Sequence, residues 1–447
     1  MNRIYFLASA AALALPFTPS FAQDHSGHGG HVMPTPAPTP APAPTPAPTR
    51  DPHAGHDMGG GEIIIADRTL PGSSNGSGTS RLTGYEGGHS GLHIGVGSDW
   101  MAMIHGYATT VYTDQSGPRG DDKLYVQSMA MLSVSRGTSW GRVEARTMLS
   151  LEPLMRHDGY PNLFATGEVA YGEPIVDRQH PHDLFMELAA RVDVNVGDGA
   201  LFLYGGPVAE PAIGPSAFMH RTSARYNPEA PITHHWFDSS HITYGVVTAG
   251  YAARTWQVEA SVFRGREPDE RRWNIETPKL DSWSVRATWN PTPAWAVQVS
   301  TARLTNPEEL HGTEDEQRTT ASAHFANAHG LSAMVAFSAK NRLPGDTLTA
   351  WLAEANWDLG DHHTLFGRFE NVVNDELFPD HLDPLHDQRF RVSKFQAGYA
   401  YRLPLTDNLN LALGGTVSAY AAPSALDGTY GRNPMGYTLF MRLSLGH

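Results

Sequence analysis

The sequence predicts an all-β protein: a transmembrane antiparallel β-barrel of about sixteen strands, preceded by a disordered arm rich in histidine and proline. Three observations indicate this fold. Apolar and polar residues alternate along many short segments, which is the pattern of strands with one apolar face. Short turns alternate with long loops along the chain, and a secretory signal precedes them.

Residues 282–304 show the repeating unit, which is two strands joined by a turn. Trp283 and Trp289 fall on one face of the first strand, and Arg286 falls on the other. The turn at residues 290–293 contains two prolines, which cannot donate hydrogen bonds to a neighbouring strand. Tryptophans at the ends of apolar faces are typical of the aromatic girdle of an outer-membrane barrel, whereas a soluble β-sandwich would bury that face against a second sheet.

Charged residues recur on the face opposite to the apolar one in most of the predicted strands. A soluble barrel would expose that face to water, whereas a membrane barrel turns it toward a polar lumen. The predicted lumenal charges are Arg142, Glu144, Arg146, Glu187, Arg191, Asp193, Glu259, Arg286, Glu354, Arg368, Glu370, Lys394 and Arg442.

Seven short and eight long connections predict sixteen strands, with both ends of the chain on the periplasmic side. Fourteen strands is the alternative count, because residues 200–206 make a brief strand and residues 101–113 alternate poorly. The short turns fall near residues 137–139, 197–199, 253–254, 290–293, 329–330, 360–361 and 404–406. The long loops span 114–122, 153–183, 207–240, 265–279, 306–317, 341–346, 374–389 and 421–433.

Residues 1–22 match a secretory signal, because Arg3 precedes an apolar run and a small-x-small pattern precedes Gln23. No later run approaches the ~20 apolar residues that a membrane-spanning helix needs. The chain therefore divides into a signal peptide (1–22), a disordered periplasmic arm and linker (23–97) and an outer-membrane barrel (98–447).

Composition restricts the partners of the protein. The chain has no cysteine, so a bound metal must use histidine, methionine or carboxylate ligands. The formal charge of -14, from 46 acidic and 32 basic residues, argues against a nucleic-acid partner and suits a protein that meets cations. The expected partners are outer-membrane lipid and metal ions.

The arm holds two similar segments, 24–33 and 51–60, on either side of a proline-rich spacer. Each has an aspartate, two histidines three residues apart, nearby glycines and a following methionine. The proline run predicts an extended spacer. Imidazoles and thioethers on a flexible chain suit copper, with zinc and silver as alternatives, whereas a solvated tail that binds nothing is the competing interpretation. The predicted ligands are His25, His28, His31, Met33, His53, His56 and Met58.

The two longest predicted loops contain a second group of histidines. Both loops end where a strand re-enters the barrel on its outer side, one hairpin apart, so their side chains can converge at the mouth. Imidazoles with carboxylates predict a second metal site, and the alternative is a hydrogen-bonded network that holds folded-in loops. The residues are His180, His182, Asp183, His234, His235, Asp238 and His241.

Three methionines, Met129, Met131 and Met148, are predicted to face the lumen from adjacent strands. With the turn centred on Thr138, Met129 is expected nearly opposite Met148. Thioethers facing a polar lumen could relay Cu(I) or Ag(I), although such side chains more often only fill space.

Two further patterns bear on function. Ser239 and Ser240 lie beside histidine and aspartate, but without a nucleophile elbow, so we expect no enzyme and keep an outer-membrane hydrolase as a distant alternative. A general passive porin whose arm is only a tether is the stronger rival to metal handling. The acidic loops at 308–316 and 375–387 are expected to be solvated surface.

With the signal, the arm segments DHSGHGGHVM and DPHAGHDMGG and the barrel behind them, the chain resembles the outer-membrane copper-resistance protein B family. In that family a periplasmic arm rich in histidine and methionine precedes a barrel. The resemblance is one of layout: this arm has far fewer methionines, and the chain stops at Gly446 and His447 rather than at an aromatic residue. It implies a role in copper or related heavy-metal resistance, alongside periplasmic metal-resistance proteins.

A peptide of residues 23–61 is expected to bind Cu(II) more tightly than zinc or nickel through His25 with His28 and His53 with His56, because nitrogen-rich sites follow the usual divalent order. Binding should weaken as the pH falls through the imidazole pKa of ~6.5, since protons compete for the ligands. Calorimetry at two pH values measures this, with all five arm histidines replaced by alanine as the control. Undiminished affinity in that control, or at acid pH, would show that the histidines are not the ligands.

Overall fold

A computed structural model of the chain describes residues 73–86 and 91–446. The signal peptide, both histidine segments of the arm and every ligand predicted there lie outside these described residues. Within the described part of the chain, no helix is long and apolar enough to cross a membrane.

Sixteen antiparallel strands form one closed barrel, which confirms the predicted fold class and strand count. Each strand pairs with the next along the chain, and residues 436–445 of the last strand pair with residues 106–115 of the first. Closure pairs the edges that an open sheet would expose. The strands are β1 (Trp100–Gln115), β2 (Asp122–Thr138), β3 (Gly141–Leu149), β4 (Phe185–Val196), β5 (Gly199–Ala209), β6 (Thr243–Ala252), β7 (Trp256–Phe263), β8 (Ser282–Trp289), β9 (Trp295–Leu304), β10 (Asp315–Ala326), β11 (Leu331–Leu343), β12 (Thr347–Leu359), β13 (His363–Asn374), β14 (Phe390–Thr406), β15 (Leu409–Ala421) and β16 (Met435–Leu445).

Turns and loops alternate around the barrel in the predicted order. Several bounds differ from the prediction. The turn expected at 137–139 lies at 139–140. The outer connection expected at 341–346 has only three residues, 344–346, because β11 and β12 extend further than the sequence pattern indicates. The turn expected at 404–406 lies at 407–408, since β14 continues to Thr406.

The exterior of the barrel is apolar and its interior is charged, as the alternation predicts. Trp283 is 45% exposed and Trp289 is 55% exposed, whereas Arg286 between them is 1% exposed. Exposed tryptophans lie near both ends of the strands, such as Trp295 beside a short turn and Trp351 near a loop. An apolar exterior with aromatic girdles around a polar interior is the surface of an outer-membrane barrel. The protein is therefore a Gram-negative outer-membrane protein.

Residues 73–86 form a short hairpin inside the barrel, which we call the inner hairpin. Arg286 donates a hydrogen bond to the Oγ1 of Thr79 at 3.1 Å, and Arg146 donates to the carbonyl of Gly78 at 2.8 Å. Composition assigns these residues to a linker. The structure instead packs them against lumenal charges, because hydroxyls and backbone carbonyls are good acceptors for guanidinium groups.

The loop between β5 and β6, residues 210–242, also folds into the lumen, and we call it the inner loop. Its Arg221 pairs with Glu354 of β12 at 2.7 Å. Its Glu229 pairs with Lys394 of β14 at 2.7 Å. All four side chains are buried. The inner loop is therefore held by charges that the barrel wall presents.

Short elements complete the described chain. Leu92–Val96, within the predicted linker, is a strand that pairs with residues 100–104 of β1. Three small hairpins pair Ser73–Asn75 with Arg81–Thr83, Tyr160–Pro161 with Arg178–Gln179, and Glu168–Ala170 with Glu173–Ile175. Single helical turns are α1 (His234–Phe237) and α2 (Asp427–Tyr430), with 3-10 turns at Glu152–Met155, Phe218–His220, Thr222–Ala224, Ser239–His241 and Ser424–Leu426.

Arg221→Ala is expected to destabilise the folded barrel by about 3 kcal/mol or more, because it removes a buried guanidinium that pairs with both Asp238 and Glu354 and leaves Glu354 with Arg368 alone. Arg303→Ala is the matched control: Arg303 pairs with Asp315 at 2.8 Å, but both side chains are about one-third exposed, and such pairs contribute about 0–1 kcal/mol. The denaturant midpoint of the heat-modifiable gel shift measures both variants. Equal midpoints would contradict the assigned role of Arg221.

Candidate functional site

The five histidines predicted for a second metal site lie together in the structure. His180 and His182 come from the loop between β3 and β4, and His234, His235 and His241 come from the inner loop. Ring centroids of neighbouring members are 5.2–6.5 Å apart. All five residues are buried. We call this group the histidine cluster.

Local backbone structure fixes the positions of these rings. His180 follows a two-residue strand, and His235 lies on helix α1. Gly167 has a φ of +110°, and a Cβ at this position would lie 2.6 Å from the His235 ring. Glycine is required there for both reasons. The absence of a side chain lets the backbone at Gly167, directly before Glu168, pack against the His235 ring.

Part of the predicted site is a structural network. The Nδ1 of His182 lies 2.8 Å from a carboxylate oxygen of Glu152, and the Nδ1 of His234 lies 2.8 Å from Asp238. Asp183 accepts hydrogen bonds from a tyrosine hydroxyl and an arginine. These contacts hold the folded-in loops, which is the network alternative to a metal site.

Three other groups face one another as ligands would. One ligand atom from each of Glu168, His180 and His235 lies within 4.8 Å of the other two. The Nδ1 of His180 donates to the carbonyl of Pro181 at 3.1 Å, so its Nε2 carries the lone pair. That Nε2 lies 3.1 Å from the Oε1 of Glu168. We call Glu168, His180 and His235 the lumenal triad.

The electrostatics of the lumenal triad combine burial with nearby charge. Burial, helped by Arg272, holds the pKa of His180 well below its usual value, so this imidazole is neutral near pH 7. Burial also lowers the pKa of His235, but Glu267 outweighs it and raises that pKa to about 9. Arg272 donates to Glu168 at 3.1 Å. A metal ion at the triad would therefore have to displace the proton of His235.

The three predicted lumenal methionines are buried and come from β2 and β3. Met131 pairs with Met148 across the two strands, and Met129 pairs with Tyr107 of β1. The predicted pairing of Met129 with Met148 is wrong. The turn is centred between Ser139 and Trp140, one and a half residues beyond Thr138, and each residue of displacement shifts a cross-strand partner by two.

The predicted acidic loops are not solvated throughout. Glu308 and Glu376 are buried, and Lys340 pairs with Glu308 at 2.6 Å. His311 and these two glutamates also hold ligand atoms within 4.8 Å of one another. Lys340 and Arg342 already compensate the carboxylates, so this group is an ion-pair network.

Sequence reasoning missed several residues of the site. Glu168 and Glu267 are carboxylates in loops, and no spacing relates them to the histidines. His105 contacts Met131 from β1. Alternation along β4 places Met186 on the outward face with Leu188, but a bulge between Phe185 and Glu187 leaves Met186 buried inside. Gly167, directly before Glu168, is the one local signal, because glycine often marks a close approach of backbone to another group.

No protein-family model matches the chain, and no curated protein matches it. The chain is similar to solved porins in its fold. OprB of Pseudomonas putida at high pH is 10% identical, with 78% of this chain and 94% of that chain covered and a TM-score of 0.50. The anion-selective porin of Comamonas acidovorans is 12% identical, with 78% and 100% covered and a TM-score of 0.47. OmpF of Salmonella typhi, in complex with daunomycin, is 8% identical, with 78% and 100% covered and a TM-score of 0.49.

At these identities the likeness concerns the fold alone, a porin-like outer-membrane barrel. None of the comparisons assigns the chain to the copper-resistance family that its arm resembles.

Proposed function

We propose that this porin-like barrel handles transition-metal ions and that the lumenal triad is a binding site on their route. The observation that carries the proposal is the buried contact between the Nε2 of His180 and Glu168 at 3.1 Å. Because the other ring nitrogen donates to a backbone carbonyl, this Nε2 is an acceptor, and so is the ionised Glu168. Burial raises the pKa of Glu168 to about 7, so near neutral pH a proton competes with a cation for this contact. Two acceptors this close repel each other unless a proton or a cation lies between them.

The hydrogen bond from the Nδ1 of His180 to Pro181 also resembles the supporting contact of a metal-binding histidine. Histidines that ligate metals usually donate their other ring nitrogen to a carbonyl or carboxylate, which fixes the tautomer and the ring orientation. His180 has this arrangement with Pro181. The triad therefore fits the pattern of a metal ligand with its supporting contact.

The donor set selects the class of ion. Two imidazoles and one carboxylate suit Cu(II) or Zn(II), whereas Mg²⁺ and Ca²⁺ prefer oxygen ligands alone. Copper(II) leads by the usual divalent order. Zinc and silver are the ions to compare with it.

The arm complements this site if its seven predicted ligands bind the same ions in the periplasm. Copper is then the cargo, with the arm exchanging it with periplasmic metal-resistance proteins. His25, His28, His53 and His56 would be the principal ligands of the arm, as the sequence predicts.

A general passive porin is the second candidate, and the likeness of the fold to solved porins favours it. The inner loop and the inner hairpin oppose it, because they occupy the lumen with buried, paired charges. The hydrolase alternative has less support. The Oγ of Ser239 accepts a hydrogen bond from Arg318 at 3.1 Å, which is not the base that a serine nucleophile requires.

Replacing the two histidines of the triad, His180→Gln with His235→Gln, is expected to lower the Cu(II) affinity of one site at least about tenfold, because both nitrogen ligands are lost. The measurement is calorimetry on the full-length protein in detergent, with the five arm histidines changed to alanine in every sample. His324→Gln is the matched control, since His324 is a buried imidazole of β10 outside the cluster. A double variant that binds Cu(II) as tightly as the control would refute the site.

Deletion of residues 24–60 separates metal handling from a passive porin. The deletion is expected to lower both the copper tolerance of the host and the copper bound per chain, because it removes the predicted periplasmic ligands. Single-channel conductance of the intact protein should be well below that of an open sixteen-strand porin, since the lumen is filled. Unchanged tolerance and unchanged binding, together with porin-like conductance, would favour the passive porin and leave the arm as a tether.

A further inference from the structure

A row of sulfur and imidazole side chains crosses the first strands of the barrel. His105 of β1, Met131 of β2 and Met148 of β3 are direct cross-strand neighbours. The Nε2 of His105 lies 3.0 Å from the Sδ of Met131. A β-bulge at the start of β4 leaves Met186 out of the ladder, and bulges of this kind redirect a side chain. Met186 packs with the other two methionines in one buried cluster.

The histidine cluster reaches this row through His241. The Nδ1 of His241 donates to the carbonyl of Asp238 at 2.7 Å, so the lone pair is on Nε2. That Nε2 is buried and has no hydrogen-bond partner among the described residues. With Met131, Met148 and Met186, His241 lines a cavity of about 10 Å³, close to the minimum that holds one water-sized particle.

A larger cavity lies next to the small one. It measures about 110 Å³ and reaches Ser444 and Leu445 at the periplasmic end of β16. His105 and Met129 line it, and His220 lines both cavities. The small cavity is thus located between the histidine cluster and a space that extends to the periplasmic end of the barrel.

The donors around the small cavity are neutral and soft. Thioethers select Cu(I) and related ions, and imidazole is a compatible partner. Arg146 and Glu187, which also line the cavity, pair with each other at 3.2 Å. Glu210 also lines the cavity, and burial disfavours its charged form. A divalent ion would find little compensating charge here, whereas a monovalent ion needs less.

We propose that His105, Met131, Met148, Met186 and His241 form a site, the thioether pocket, that binds one soft monovalent metal ion, Cu(I) or Ag(I). Binding at the pocket stands on its own geometry. Its role as a second binding site on the path of a metal ion through the barrel rests on the proposed function.

The test uses Ag(I), which keeps its oxidation state, on the full-length protein in detergent. Met131→Leu with Met148→Leu removes two sulfur ligands at nearly constant volume, a type of change that cores tolerate well. Met334→Leu is the matched control, because Met334 is another buried methionine, on β11. We expect the double variant to retain one silver ion fewer per chain than the control after gel filtration. Sulfur scattering in the silver absorption spectrum should decrease, although Met33 and Met58 of the arm still contribute to it.

Two results overturn the proposal. One is a folded double variant, shown by its heat-modifiable mobility, that retains as much silver as Met334→Leu; the methionines then only fill space. If the double variant does not fold, a chain carrying Met33→Leu and Met58→Leu is used instead. Its arm holds no sulfur, so any sulfur bound to silver must come from elsewhere in the chain. Its bound silver must still show sulfur scattering, and a spectrum with nitrogen and oxygen alone refutes the pocket.

This outcome is independent of the Cu(II) test. If the methionine double variant retains as much silver as its control while His180 and His235 still bind Cu(II), only the thioether pocket is refuted. If the methionines bind silver but the triad binds no Cu(II), the proposed divalent function is refuted and the thioether pocket stands.

Discussion

The structure depends on the pairing of charge inside the barrel. Each lumenal ion has lost most of its water, and an unpaired buried ion costs several kcal/mol. Arg286 finds Glu259 on the neighbouring strand at 2.9 Å, so the wall compensates that charge by itself. Lys394 instead pairs with Glu229 of the inner loop. The inner loop therefore has to fold inward, and its inward path carries His234, His235 and His241 to the histidines of the neighbouring loop.

Much of the barrel could be predicted from the sequence because a strand with one apolar face leaves a local, period-two signal. The sixteen strands, the outward tryptophans and the inward charges all follow from that signal. The inner hairpin could not be predicted in this way. Its glycines and serines have the composition of a linker, and only the guanidinium groups that contact Thr79 and Gly78 give these residues a fixed place.

The candidate site shows the same division between local and distant information. Five histidines on two loops could be proposed as neighbours because both loops return to the barrel on its outer side. Which of them bond to carboxylates as a network, and which face Glu168, depends on contacts between segments far apart in the chain. The methionine register depended on the position of a single turn. Placing its centre at Thr138, instead of between Ser139 and Trp140, moved Met148 away from its actual partner Met131.

Taken together, the donors change in kind along the lumen. The lumenal triad offers imidazole and carboxylate, and the thioether pocket offers imidazole and sulfur, with His241 part of the histidine cluster and of the pocket wall. The most direct measurement is anomalous diffraction from crystals of the full-length protein grown with copper or silver. We expect copper density between His180, His235 and Glu168 and silver density among Met131, Met148 and Met186. An intact lumen with bound metal only on the outer surface or at crystal contacts would contradict it.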